Sequence, residues 1–114
     1  MAANPARGET EITLGGEPLV LRPTFDALSK LEGEFDKSVF SIITDMARPA
    51  GLQVRIVAAV IHACALAAGN KISRDEVGTK VMKDGLTNHA LALVEFLSKA
   101  LGLDKEVTTP PGNG

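Results

Sequence analysis

Leu52-Gln-Val-Arg-Ile-Val-Ala-Ala-Val-Ile-His-Ala-Cys-Ala-Leu-Ala-Ala68 decides the fold. Only Gln53, Arg55 and His62 carry polar ends in this stretch. A helix that is apolar nearly all round is a central one, surrounded by others. Arg55 and His62 are seven residues apart and share a stripe with Ala58 and Ala59, and the alanines permit close approach. Gly69-Asn70 supplies the stop. The longest apolar run, Ile56 to Gly69, is broken by His62 and falls short of the ~20 residues that a membrane span needs.

The elements on either side follow from caps and periodicity. Downstream, Ser73-Arg-Asp-Glu76 reads as a capping box opening a short helix with Val77 and Val81 inside, which ends near Gly85. Thr87 is the expected cap of a last helix, Asn88 to Leu101. Leu93, Val94, Phe96, Leu97 and Leu101 form its dry face, and Glu95 and Lys99 are spaced to pair on its wet one. Upstream, Thr24 is positioned to cap a helix with Phe25, Leu28 and Leu31 on its inner face and an Asp26–Lys30 pair outside, ending at Gly33. Lys37 to Ala47 fits a second helix burying Val39, Ile42, Ile43 and Met46. Arg48-Pro-Ala-Gly51 breaks it.

The period changes to two before Pro23. Glu9-Thr-Glu-Ile-Thr-Leu14 and Glu17-Pro-Leu-Val-Leu-Arg22 alternate on either side of Gly15-Gly16, the signature of a β-hairpin whose turn needs two positive φ angles. A two-residue turn sets Ile12 opposite Leu19 and Glu9 opposite Arg22. Pro18 cannot donate to a ladder and marks an edge position. The expected architecture is therefore mainly α: an N-terminal β-hairpin followed by a compact bundle of about five helices. Residues 1–8 read as a flexible arm, 9–103 as a single globular domain (hairpin 9–22, helices 24–102) and 104–114 as a disordered tail.

The composition suits this. The chain has 114 residues, 45% hydrophobic and 23% charged, with four Phe and no Trp or Tyr. Its core must come from Leu, Ile, Val and Ala. A net charge of −2 gives no strong field for phosphate backbones, which disfavours nucleic acid as a partner. A single cysteine, Cys64, excludes an internal disulfide and a multi-Cys zinc site. No apolar leader opens the sequence, and no membrane partner is expected.

The residues point to no chemistry. His62 and Cys64, two apart on a helix, face roughly 200° apart and cannot share a metal. His89 reads as a boundary residue. Glu32, Glu34 and Asp36 gather at a helix junction without a calcium-loop pattern and read as a solvated cluster. No phosphate loop, dinucleotide fingerprint or nucleophile elbow is present. The expectation is no enzyme, no catalytic or metal-ligating residue and no cofactor. Asp75 to Leu101 has the outline of a helix-turn-helix, but its last helix offers only Asn88 and His89 for base contact, so a small DNA-binding regulator stands as a lesser alternative. Phe35, Phe40, Leu101 and Leu103, near junctions or a fraying end, are the candidate partner-facing positions.

Asn4-Pro5-Ala6-Arg7-Gly8-Glu9, the hairpin, and Leu21-Arg22-Pro23-Thr24-Phe25-Asp26-Ala27-Leu28-Ser29-Lys30-Leu31-Glu32 together resemble the gene transfer agent family of small phage tail proteins. Asp75-Glu76-Val77-Gly78 and Gly85-Leu86 add to the likeness. That family is similar to the tail assembly chaperones of long-tailed phages, although some members carry a tail-tube label. The resemblance implies a non-enzymatic role in the bacterial cytoplasm during virion assembly. It implies the tape-measure protein as partner and, beside it, the tail tube protein. A structural tail component, tube or connector, is the alternative. A tube subunit needs long strands for a ring-shaped sheet, and this chain offers one short hairpin. The residues leave oligomeric state open, a homo-oligomer included.

Overall fold

The computed structural model of the protein describes residues 3–103. The hairpin comprises β1 (Thr10–Leu14) and β2 (Glu17–Leu21); the helices are α1 (Phe25–Phe35), α2 (Val39–Ala47), α3 (Val54–Ala67), α4 (Arg74–Asp84) and α5 (Leu86–Ala100). The mainly α architecture with an N-terminal hairpin is thus as expected. The expected tail 104–114 lies outside the described residues.

The hairpin has the register that the sequence implies, with Ile12 opposite Leu19 and Thr13 opposite Pro18. Gly15 and Gly16 have φ of 61° and 85°, the pair of left-handed residues that matches the right-handed strand twist. The Glu9–Arg22 pairing survives beyond the ladder as a 4.0 Å contact between Oε2 and Nε. The two glycines are not equivalent. A Cβ on Gly15 would lie 2.7 Å from Lys80 Cδ, whereas one on Gly16 would meet open space. Gly16→Ala is expected to cost about 1–2 kcal/mol, the penalty of a left-handed alanine. Gly15→Ala should cost more, because Lys80 must also be displaced. Chemical denaturation of the two variants checks the order.

The chain before the hairpin differs from the expected flexible arm. Pro5–Arg7 forms a 3-10 turn capped by Asn4, whose Oδ1 accepts from Ala6 N at 3.0 Å. Glu9 closes it, with Oε1 accepting from Asn4 N at 2.8 Å. The feature missed was that Asn4-Pro5 is itself a cap followed by a residue with preset φ.

Helix starts follow the cap residues. Thr24, Ser38 and Ser73 each accept a backbone N–H three residues on. Ser38 replaces Lys37 as the start of α2. The capping box at Ser73 is half made: its Oγ accepts from Glu76 N, while Glu76 instead pairs with Lys80 Nζ at 3.0 Å. Two ends differ from expectation. α1 runs through Gly33 and stops at Asp36 (φ 53°). Glu34 and Phe35 both find partners on other elements in that extra turn, which offsets the ~1 kcal/mol cost of a helical glycine. α5 begins at Leu86, so Thr87 lies inside the helix and caps nothing. Gly85 at φ 107° turns the chain from α4 to α5 in one residue.

α3 is the central helix. It packs against α1, α2, α4, α5 and β2. Ile56, Val57, Ala59, Val60, Ile61, Cys64 and Ala65 on it are at most 1% exposed. Leu14, Leu21, Leu31, Ile42, Val77, Val81, Leu93 and Leu97 close round it. Of the four phenylalanines only Phe96 lies in this core, so aliphatic packing carries the fold.

Candidate functional site

The helix starts of α1 and α2 meet beside the end of α5 and enclose an apolar cleft of about 360 Å³. Thr24 Oγ1 fixes the first turn of α1 by accepting from Ala27 N at 3.1 Å. Ser38 Oγ does the same for α2, accepting from Ser41 N at 3.1 Å. Glu32 Oε2 accepts from Val39 N at 3.0 Å and ties the two helices together. Phe25, Leu28, Val39, Phe40 and Leu101 line the cleft, with Ser29, Glu32 and Ser38 at its polar rim. Phe25 is 89% exposed and Phe40 60%. Two large aromatic faces left in water beside one another are a binding surface in waiting.

Of the four candidate partner-facing residues, Phe40 and Leu101 come together here. Phe35 does not. It packs against the core with the Arg55 guanidinium 5.1 Å above its ring. Leu103 is exposed but does not line the cleft. Phe25 was missed, because its spacing with Leu28 and Leu31 assigns it to the buried face. Its position was the available signal. Helical side chains lean toward the N-terminus over the preceding turn, and the first helical residue has no such turn to cover.

The polar groups elsewhere hold the fold together. Arg74 clasps Glu34 through two hydrogen bonds of 3.0 and 3.1 Å, and its Nε lies 3.4 Å from His62 Nδ1. The guanidinium hydrogen bonds hold the Glu34 carboxyl below its ordinary pKa. Glu32, Glu34 and Asp36 thereby go to separate tasks and form no joint cation site. No group of three or more potential metal ligands occurs among the described residues. Burial pushes the Cys64 thiol up to about 12, so it behaves as a small hydrophobe. No described helix is long and apolar enough to cross a membrane.

His89 is 6% exposed, more buried than a boundary residue. Its Nε2 lies 2.7 Å from Asp84 Oδ2, which also accepts from Gly15 N at 2.9 Å. One carboxylate thus pins the hairpin turn to the α4–α5 corner. The Gly15 N–H, then His89, lower the Asp84 pKa below 3.8. A depressed carboxyl pKa contributes stability above the unfolded value, and that contribution is lost as pH falls through the folded one. Asp84→Ala is therefore expected to lower Tm at pH 7 and to lose most of that difference near pH 3. Thermal melts at the two pH values check it. The same corner bears on the DNA-binding alternative. His89 is buried, and Asn88 Nδ2 is directed to Asp84 O at 3.4 Å. Both base-contact candidates are engaged internally, and the one-residue Gly85 turn is shorter than the 3–4 residues usual between such helices.

A family model described as "Phage tail tube protein, GTA-gp10" matches residues 7–102. No curated protein and no solved structure matches the chain significantly.

Proposed function

Because the chain belongs to the GTA-gp10 family of phage tail proteins, we propose that it is a non-enzymatic assembly factor that holds a helical segment of another tail protein. The observation that carries this reading is the Phe25–Phe40–Leu101 cleft. An amphipathic helix laid across it would cover both aromatic faces, as helix-in-groove recognition requires. A contact of this modest size is reversible, which suits a factor that must leave the finished tail. The tape-measure protein is the proposed partner, with the tube protein beside it, and the host cytoplasm is the proposed place of action.

The family description names a tail tube protein and supports the second reading, a structural component of the tail, more directly than it supports a chaperone. Against a tube role stands the small sheet: the strands described are the two five-residue strands of one hairpin. Quantitative mass spectrometry of purified particles separates the two readings. A released factor is expected to be scarce or absent there. Near-stoichiometric copies relative to the tube protein would favour the structural role.

A further inference from the structure

The two edges of the hairpin are closed in different ways. On the outer edge of β2, Pro18 has no N–H, Val20 O accepts from Asn70 Nδ2 at 2.9 Å, and just beyond it Arg22 N donates to Cys64 O at 2.9 Å. β1 has no such seal. Pro18 faces Thr13, so that pair makes no ladder hydrogen bond, and alternation makes Glu11–Val20 the same. The N–H and C=O groups of Glu11 and Thr13 therefore point away from β2. Among the described residues they have no hydrogen-bond partner.

These groups face the side on which a trough of about 560 Å³ opens between the start of β1 and α5. Ile12, Ala92, Phe96 and Ala100 supply its apolar wall. Glu9, Glu11 and Glu95 make its rim acidic, against the single cation of Lys99. An unpaired edge is a template for another strand.

We infer that the open edge of β1 accepts an extended segment of another protein chain in which basic and apolar residues alternate. Backbone pairing to Glu11 and Thr13 would hold it. Its apolar residues would lie over Phe96 and the α5 alanines, and its basic ones beside the Glu9 and Glu11 side chains, since successive strand residues face opposite ways. Opposite charges directly across a strand pair are favourable. The trough shares no lining residue with the Phe25–Phe40 cleft, so this inference stands apart from helix capture there.

The test titrates the full chain, ¹⁵N-labelled, with the blocked peptide Lys-Val-Lys-Val-Lys-Val-Lys. The expected result is at least a tenfold slowing of amide exchange at Glu11 and Thr13, and binding at least tenfold tighter than for the Glu-Val counterpart. Thr13→Pro removes an outward N–H that the hairpin does not use, and should weaken binding at least tenfold with the far-ultraviolet dichroism retained. If that variant fails to fold, Glu11→Lys decides by the same tenfold criterion. Unchanged exchange at Glu11 and Thr13 under saturating peptide would overturn the inference. So would equal binding by the folded variants, or peptide-free self-association abolished by either substitution, which would make a second copy the occupant.

Discussion

Phe25→Asp combined with Phe40→Asp is expected to abolish capture of a helical partner while leaving the protein folded. Both side chains sit in water in the free protein, so their removal leaves no cavity in the core. Both also occupy the first turn of a helix, Phe25 opening α1 and Phe40 second in α2. A negative charge there is favourable to the helix dipole. In a complex the balance reverses. Buried aromatic anchors contribute about 2 kcal/mol or more each to binding, and a carboxylate in their place must be desolvated without a partner. The expected loss of affinity is at least about a hundredfold, with Tm within a few degrees of wild type. Isothermal titration or co-purification beside a thermal melt reads both. Unchanged affinity would remove the cleft from the account.

Ile61→Ala is expected to have the largest effect on stability. Ile61 lies on α3, the helix round which the other elements pack, and is fully buried. Truncation forfeits its transfer free energy and leaves a cavity that surrounding aliphatic side chains fill only in part, about 2–5 kcal/mol together. A domain of this size holds only about 5–15 kcal/mol in total, so Tm should fall by roughly 10–20 °C. Leu91→Ala is the matched control. That side chain is 63% exposed on α5, and its loss should stay within about 0.5 kcal/mol.

Features that combine a local rule with a consistent pattern were legible in the sequence. Gly15-Gly16 fixed the hairpin turn, Pro18 fell on a non-bonded position, and the alanine-rich Leu52–Ala68 stretch became the buried centre. Helix ends were less legible where tertiary contacts outweigh propensity. Gly33 reads as a terminus only until Arg74 and Arg55 reach Glu34 and Phe35, and Thr87 reads as a cap only until the Gly85 turn starts the helix earlier. For the cleft, junction position singled out Phe40 and Leu101, yet placed Phe35 with them and Phe25 in the core. Periodicity says which face a residue is on, but not that the first helical residue projects past the end of that face. The sealed and open edges of the hairpin were beyond sequence reading, because Asn70 and the Cys64 carbonyl reach β2 from distant parts of the chain.

The most direct test of the central claim is co-expression with the tape-measure protein encoded beside this chain. Holding of a helical partner predicts that the partner becomes soluble and co-purifies with the wild-type chain, and that both effects are lost with Phe25→Asp/Phe40→Asp. A tape-measure protein equally insoluble with and without the chain, with no complex recovered, would contradict it.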